Sequence, residues 1–226
     1  MRSDLIGYIH DKDQGREYPS EGPFLTISRE FGCGGYELAE SISKLITERS
    51  GENWKIFKKE LLEQLARESG IDLETIEKQR FEKPCFVKDM LNAMRQNSTP
   101  DSVEVRSRIA FMVRKAAFDG RAIIVGQGGA AATSGMQGGL NVRVEAPRSW
   151  RLLRISKREG LSKKEALEKL TEIEKRREYL RKFYTSMGGE APFFDLVFDN
   201  SKFTTAQIAE LIFQAMIQLK LVEIGF

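Results

Sequence analysis

Short apolar runs alternate with longer amphipathic stretches along the chain. The apolar runs predict strands at residues 24–28, 54–57, 122–126, 141–146 and 196–199. The run at 122–126 is continuous, which is typical of a parallel strand that is covered on both faces. Because helical stretches separate the runs, the pattern predicts an α/β fold with a doubly wound parallel sheet, whose ligands lie at the carboxyl ends of the strands.

Helical periodicity predicts the elements between the strands. In the first helix, at 36–49, Leu38, Ile42 and Ile46 share one apolar stripe, and Gly51 ends the helix. Further helices are predicted at residues 58–68, 72–80, 87–95, 100–120, 149–159, 162–184 and 205–219, with a glycine- and alanine-rich loop at 127–139. Residues 1–22 are polar and predicted to form an N-terminal extension, which leaves residues 23–226 as one domain.

A glycine-rich turn follows the first strand, with Gly32, Cys33, Gly34 and Gly35 before Tyr36 opens a helix. Glycines accept positive φ, so successive amides can converge on an anion, and the helix N-terminus adds further donors. In the Walker pattern G-x-x-x-x-G-K-[ST], a lysine and a hydroxyl follow the last glycine. With Gly34 as that glycine, Gly35 and Tyr36 occupy those two positions. The sequence of the turn is consistent with two interpretations, a phosphate-binding loop or a turn that only lets a helix pack closely on a strand, and it does not distinguish between them.

Arginines recur at near-helical spacing in the second half of the chain. They are Arg148, Arg151, Arg154 and Arg158, followed by Arg176, Arg177 and Arg181 on the long helix. Arginine forks match the geometry of phosphate oxygens, so two helices at about 150–190 would form a lid over the glycine-rich turn. Interleaved glutamates at i,i+4 also allow these arginines to lie on a solvated helix face.

Both signs of charge are interspersed, with 36 Lys and Arg, 33 Asp and Glu, and a net charge of +3. This balance argues against nucleic acid as a partner. The single histidine, His10, lies in the polar N-terminal stretch, which disfavours histidine-based catalysis and metal sites. Cys33 and Cys85 form neither a metal-binding pattern nor a disulfide framework. Without a signal-peptide pattern or an apolar run of about 18 residues, we expect a cytoplasmic protein that does not bind membranes.

Several stretches together resemble the cytidylate kinase-like family, a branch of the P-loop nucleoside monophosphate kinases. They are residues 26–35 (TISREFGCGG), 122–128 (AIIVGQG), 144–147 leading into 150–155, 176–184 and 194–197. Their order and spacing match the family from about residue 24 to about residue 215. The resemblance implies a P-loop-type three-layer fold with about five parallel strands and an arginine-bearing helical lid. It also implies ATP and Mg²⁺ as cofactors and a nucleotide or other small-molecule phosphate acceptor as partner.

The same resemblance implies a set of site residues. The expected catalytic residues are Arg29, Arg176, Arg177 and Arg181. The expected nucleotide-binding residues are Gly32, Cys33, Gly34, Gly35, Tyr36, Arg151, Arg154 and Gln127. No metal-ligating side chain is assigned, and Mg²⁺ is expected to be held mainly by phosphates and water. Arg29 is expected to supply the charge that the Walker lysine brings.

Some positions depart from the family's pattern. Gly126-Gln127-Gly128 stands where the family has Gly-Arg-Gly, and Lys58 stands where it has an Asp before the second helix. Ile173 stands at an acidic position of the lid, where the neighbouring Glu172 or Glu174 could serve instead. Each departure removes a charge that would stabilise phosphate or Mg²⁺.

Two functions follow from these observations. The first is a phosphotransferase that moves the γ-phosphate of ATP to a nucleotide or other small acceptor. The second is a catalytically impaired kinase relative that binds nucleotide as a sensor or scaffold. A measurement of phosphoryl-transfer turnover distinguishes these two functions. The identity of the acceptor and the quaternary structure, a homodimer included, are left open.

Overall fold

The computed structural model describes residues 22–81, 102–186 and 193–224. Almost all of the predicted N-terminal extension, including His10, lies outside these residues. Cys85 and the helix predicted at 87–95 lie outside them as well.

Five strands form one parallel sheet, as predicted. They are β1 (Phe24–Arg29), β2 (Lys55–Phe57), β3 (Ala122–Val125), β4 (Gly139–Glu145) and β5 (Leu196–Asp199). Their order across the sheet is β2-β3-β1-β4-β5. In the centre, Phe24 of β1 lies opposite Ala122 on one side and Gly139 on the other. The carboxyl ends of β3, β1 and β4 therefore meet at one edge, where the glycine-rich turn begins.

Eight helices are described around the sheet. They are α1 (Gly35–Ser50), α2 (Glu60–Ser69), α3 (Leu73–Phe81), α4 (Ser102–Asp119), α5 (Gly129–Ala132), α6 (Arg148–Glu159), α7 (Lys163–Ser186) and α8 (Thr205–Gln218). The sequence interpretation of residues 127–139 as a loop misses α5, because one turn of helix is too short to show a period. A capping box starts α7, since the Glu165 amide donates to Ser162 Oγ at 3.3 Å and the Ser162 amide donates to Glu165 Oε2 at 2.8 Å.

Alternate residues of β1 point into two different cores. Leu25 and Ile27 face the core formed with α1 and α8, and Phe24 faces the core formed with α2 and α4. All three side chains are fully buried. Burying one side chain of this size stabilises a protein by about 1.5–3 kcal/mol. The result is the predicted three-layer arrangement of helices, sheet and helices.

The predicted lid consists of α6 and α7, and both are tied to the sheet edge. Ile155 of α6 packs with Ala166 and Leu170 of α7 in a third small core, against which Phe31 rests. Farther along α7, Leu180 reaches the core below α4. The lid helices therefore lie over the carboxyl end of β1. None of the described helices has the length and apolarity needed to cross a bilayer.

Candidate active site

The turn after β1 presents backbone amides at the N-terminus of α1. Gly32 has φ +97° and Gly34 has φ +60°, conformations that side chains with a Cβ rarely adopt. Within the described part of the chain, no group accepts a hydrogen bond from the amides of Gly34, Gly35 or Tyr36. Unsatisfied amides at a helix N-terminus attract an anion.

A cavity of about 110 Å³ lies over these amides. The guanidinium-bearing residues Arg29, Arg158 and Arg177 contribute to its walls. Arg158 was not among the predicted site residues, although its i,i+4 spacing from Arg154 was a signal that could have identified it. It also pairs with Glu159 at 2.8 Å. Amides and arginines on the same small cavity make it suitable for phosphate.

The prediction that Cys33 binds nucleotide is not supported by its placement. The side chain is buried in the core with Leu38, and burial raises the pKa of the thiol to about 12. The Cys33 amide donates to the Glu30 carbonyl at 3.3 Å. Cys33 therefore shapes the turn from inside and offers no group to a ligand.

The Arg29 side chain crosses two glycines to reach the site. A Cβ at Gly35 would lie 2.9 Å from Arg29 Cδ, and a Cβ at Gly126 would collide with Arg29 Nη1. The guanidinium carbon lies 5.3 Å from the centroid of the Tyr36 ring. Burial lowers the pKa of Arg29 below its ordinary value, although Tyr36 offsets part of this effect. Glycine at both positions is therefore what allows Arg29 to take this path.

Arg177 joins Arg29 at the same place. Its Nη1 donates to the Arg29 carbonyl at 2.8 Å, and its guanidinium carbon lies 5.8 Å from the Phe31 ring centroid. Burial, and then the charge of Arg29, lower the pKa of Arg177 to about 9, so it is still protonated at neutral pH. Neither arginine forms an ion pair with a carboxylate of the described residues. Two neighbouring, partly desolvated cations favour an anion between them.

A second cavity, of about 220 Å³, also borders Arg29. Its cationic wall holds Arg29, Lys59, Arg143, Arg177 and Arg181, and its apolar wall holds Leu62, Phe81 and Leu180. Arg29, Tyr36 and Arg177 line both this cavity and the smaller one over the turn. The two cavities therefore meet at a shared set of side chains.

Gln127 lies at the wall of the second cavity in a constrained conformation. It has φ +58° between Gly126 and Gly128, which both have φ +74°. Its Nε2 donates to the Lys58 carbonyl at 2.6 Å. A non-glycine residue in the left-handed region often marks a functional loop. Its predicted place beside the ligand is compatible with this position.

Arg151, which was predicted to bind nucleotide, lies in a buried network and lines neither cavity. Its Nε donates to the Ala146 carbonyl at 2.9 Å and lies 3.2 Å from Glu30 Oε2, while Nη1 pairs with Glu174 and donates to the Phe31 carbonyl at 3.3 Å. The side chain is 5% exposed. Arg151 therefore ties the segment after β1 to α6 and α7.

Arg154 and Arg176 have different surroundings. Arg154 Nη2 pairs with Glu37 at 3.1 Å, and Nη1 donates to Asn200 Oδ1 at 3.0 Å, which keeps Arg154 beside the glycine turn. Arg176, predicted as catalytic, pairs with Glu172 on the exposed face of α7 and lines neither cavity. Arg177 and Arg181, also predicted as catalytic, both line the second cavity.

The side chains around the turn do not fit a protein-ligated Mg²⁺. Tyr36 occupies the position of the metal-binding hydroxyl. The carboxylates nearest the turn are paired with cations: Glu30 with Arg151, Glu37 with Arg154 and Glu40 with Lys58. Over residues 22–81, 102–186 and 193–224, no three His, Cys, Asp or Glu side chains are grouped as a metal site requires.

Comparisons with known proteins identify the family and the fold of the chain. The model of the cytidylate kinase-like family matches residues 24–202. No curated protein matches the chain significantly. Among solved structures, an uncharacterized protein from Eubacterium ventriosum ATCC 27560 has 16% identity over 86% of this chain and 98% of its own, with a TM-score of 0.58. This similarity supports the fold alone.

Two kinases of known structure are also similar. Shikimate kinase from Acinetobacter baumannii, solved in complex with shikimate, has 14% identity over 88% of this chain and 96% of its own, with a TM-score of 0.43. Dephospho-CoA kinase from Campylobacter jejuni has 13% identity over 89% of this chain and 98% of its own, with a TM-score of 0.39.

Proposed function

Because the chain belongs to the cytidylate kinase-like family, we propose that it is a nucleotide-binding phosphotransferase. It would move the γ-phosphate of ATP to a nucleotide or another small phosphate acceptor. The observation that carries this proposal is the meeting of two cavities at Arg29 and Arg177. One cavity offers amides to a donor, and the other offers arginines to an acceptor.

The donor phosphates would bind at the smaller cavity. The amides of Gly34, Gly35 and Tyr36 point from the N-terminus of α1 and would bind phosphate oxygens. Arg29 would supply the positive charge that a lysine at position 35 brings to a Walker loop. This assignment is supported by the path of the Arg29 side chain directly over Gly35.

The acceptor would bind in the second cavity. Arg143 and Arg181 line this cavity and not the smaller one over the turn, so they would bind an anionic group of the acceptor. The apolar wall of Leu62, Phe81 and Leu180 would exclude water around the reacting atoms. An acceptor held there has its reactive end toward Arg29 and Arg177.

Arg177, like Arg29, lines both cavities and would face both ligands. As the phosphoryl group leaves one oxygen and approaches the other, negative charge is spread over its equatorial oxygens and builds up on the leaving oxygen. A preorganised guanidinium at that place stabilises the transition state more than the ground state. An arginine in this role is worth about 10³–10⁵ in rate. In this proposal Arg176 takes no part in the reaction, because it lines neither cavity.

The adjacent pair Arg176 and Arg177 provides a matched test. Turnover of labelled ATP would be followed against a panel of nucleoside monophosphates and other small phosphorylated or hydroxylated acceptors. Arg177→Ala is expected to lower kcat by about 10³ or more, whereas Arg176→Ala stays within about twofold of the unmodified protein. Equal loss in both variants, or no turnover with any acceptor, would refute the proposal. Nucleotide binding without turnover would instead indicate a sensor or scaffold.

A further inference from the structure

Two cations flank the aromatic ring at the position where a Walker loop has its hydroxyl. The guanidinium carbon of Arg29 lies 5.3 Å from the centroid of the Tyr36 ring, and Lys58 Nζ lies 5.5 Å from it. We name this group the Arg29–Tyr36–Lys58 stack. The backbone of Lys58 is held by Gln127, whose Nε2 donates to the Lys58 carbonyl at 2.6 Å. Lys58 Nζ also pairs with Glu40 at 2.8 Å, so both the backbone and the side chain of Lys58 have a partner that keeps them beside Tyr36.

The stack occupies the place where a Walker loop binds metal. The Ser or Thr that follows the Walker lysine is a ligand of Mg²⁺, and Tyr36 stands at that position. A hard divalent cation needs several oxygen ligands, preferably anionic ones. The nearby Glu37 is paired with Arg154 at 3.1 Å, and Glu40 is paired with Lys58 at 2.8 Å. Glu30 and Glu37 line the cavity over the turn, but each is paired with an arginine. Metal bound to a nucleotide here would therefore face two positive side chains and would gain a carboxylate ligand only by breaking one of these ion pairs.

We propose that this turn binds a metal-free polyphosphate in preference to its magnesium complex. In this proposal Arg29, which lines the cavity over the turn, supplies most of the positive charge that a Walker loop draws from its lysine and its metal, and Lys58, which lines neither cavity, adds to it from beside the Tyr36 ring. The inference rests on the proposed function, since it takes the turn as the donor site. Under this proposal, Tyr36 and Lys58 determine whether the metal-free nucleotide or its magnesium complex binds more tightly.

Electrostatics sets the size of the effect. Metal-free ATP carries about two more negative charges than its magnesium complex. Two extra charges about 6 Å from one guanidinium favour binding by about tenfold, even at the dielectric constant of bulk water. Lys58 adds a smaller share, because its ion pair with Glu40 already satisfies part of its charge. An expected preference of about tenfold is large enough to measure directly.

Calorimetry of the full chain tests the inference without any need for turnover. ATP and inorganic tripolyphosphate would each be titrated at constant ionic strength, once with EDTA and once with saturating Mg²⁺. Binding about tenfold tighter in EDTA, for both ligands, is the expected result. Equal or tighter binding in Mg²⁺ would overturn the inference and leave the proposed function intact. Absence of binding in both conditions would overturn the proposed function and this inference together.

A pair of variants tests whether the stack is responsible. The double variant Tyr36→Ser/Lys58→Asp returns a hydroxyl and a carboxylate to the turn, so it is expected to lose the tenfold preference or to invert it. The control is Lys44→Asp, which makes the same change of charge on the exposed face of α1, where Lys44 pairs with Glu48 at 3.7 Å. This control should keep the preference. If both variants shift the preference equally, net charge and not the stack is responsible, and the assignment fails.

Discussion

Removal of the Arg151 guanidinium should destabilise the fold, because this group ties three segments together. Its side chain is 5% exposed and pairs with Glu30 at 3.2 Å and with Glu174. It also donates to the carbonyls of Ala146 and Phe31. Glu30 and Phe31 belong to the segment that leads from β1 into the glycine turn. Arg151→Met keeps much of the length and apolar surface of the side chain while removing every one of these interactions.

The expected loss follows from the exposure of the partners. Breaking a buried ion pair by removing one partner costs about 3–5 kcal/mol. Here the side chains of Glu30 and Glu174 are 25% and 33% exposed, so water recovers part of their solvation. We therefore expect Arg151→Met to lower the free energy of unfolding by about 2–3 kcal/mol. The control is Arg108→Ala, which removes an exposed i,i+4 pair with Glu104 and should cost only about 0.3–0.5 kcal/mol.

Urea unfolding, followed by circular dichroism, measures both losses on one scale. A change in the midpoint with an unchanged slope would show that stability itself has altered. If Arg151→Met lost less than about 1 kcal/mol, the desolvation cost of the arginine would have cancelled its interactions, and the reasoning would be wrong. Because the network holds the segment before the turn, the same variant should also weaken nucleotide binding, whereas Arg108→Ala should not.

Two further predictions concern pKa values at the site. Cys33 should resist alkylation in the native protein at about pH 8 and react once urea unfolds the chain, because burial raises the pKa of its thiol to about 12. Mass spectrometry of the labelled peptide checks this, and rapid native labelling would contradict it. For Arg177, burial and then the charge of Arg29 lower the pKa to about 9. In the folded protein without ligand, Arg177 therefore loses its proton at a lower pH than in the unfolded chain. Below about pH 9 the buried charge of Arg177 lowers the free energy of unfolding, and a bound anion offsets this loss. The affinity for tripolyphosphate should accordingly fall as the pH rises through about 9, and calorimetry that shows a flat profile would refute the role of Arg177.

Most of the sheet could be predicted because its central strands are buried on both faces. The run at 122–126 corresponds to the fully buried β3, Ala122–Val125. The run at 196–199 has the bounds of β5, although that strand lies at the edge of the sheet and is less buried. The predicted strand begins at residue 141, two residues after the start of β4, because a glycine at position 139 does not indicate a strand. Any Cβ there would collide with the ring of Phe24 on the neighbouring strand, so glycine is required by a contact between distant segments.

To identify which arginines face the site, one must know which side of each helix faces the protein interior. Successive residues on an α-helix point about 100° apart, so Arg176 and Arg177 face different directions. Leu170 and Leu180 are buried, and Arg177 lies seven residues after the first and three before the second. The spacing of the apolar residues of α7 therefore indicates that Arg177 faces the protein interior. The many charged residues around Arg177 made this spacing difficult to recognise in the sequence. In α6, Arg151 shares the buried stripe with Ile155 in the same way.

The absence of the Walker lysine and the path of the Arg29 side chain depend on each other. Parallel pairing of β1 with β3 sets Ile27 opposite Val125, which brings the following residues, Arg29 and Gly126, to the same edge. Arg29 then crosses Gly126 and Gly35, and a Cβ at either position would meet its side chain. A lysine restored at position 35 would thus collide with Arg29 and not simply add a charge beside it. Gly126 is far from Arg29 in the chain, so its part in this arrangement is visible only after β1 and β3 are paired. A comparison of the motif position by position therefore shows only that the lysine is missing.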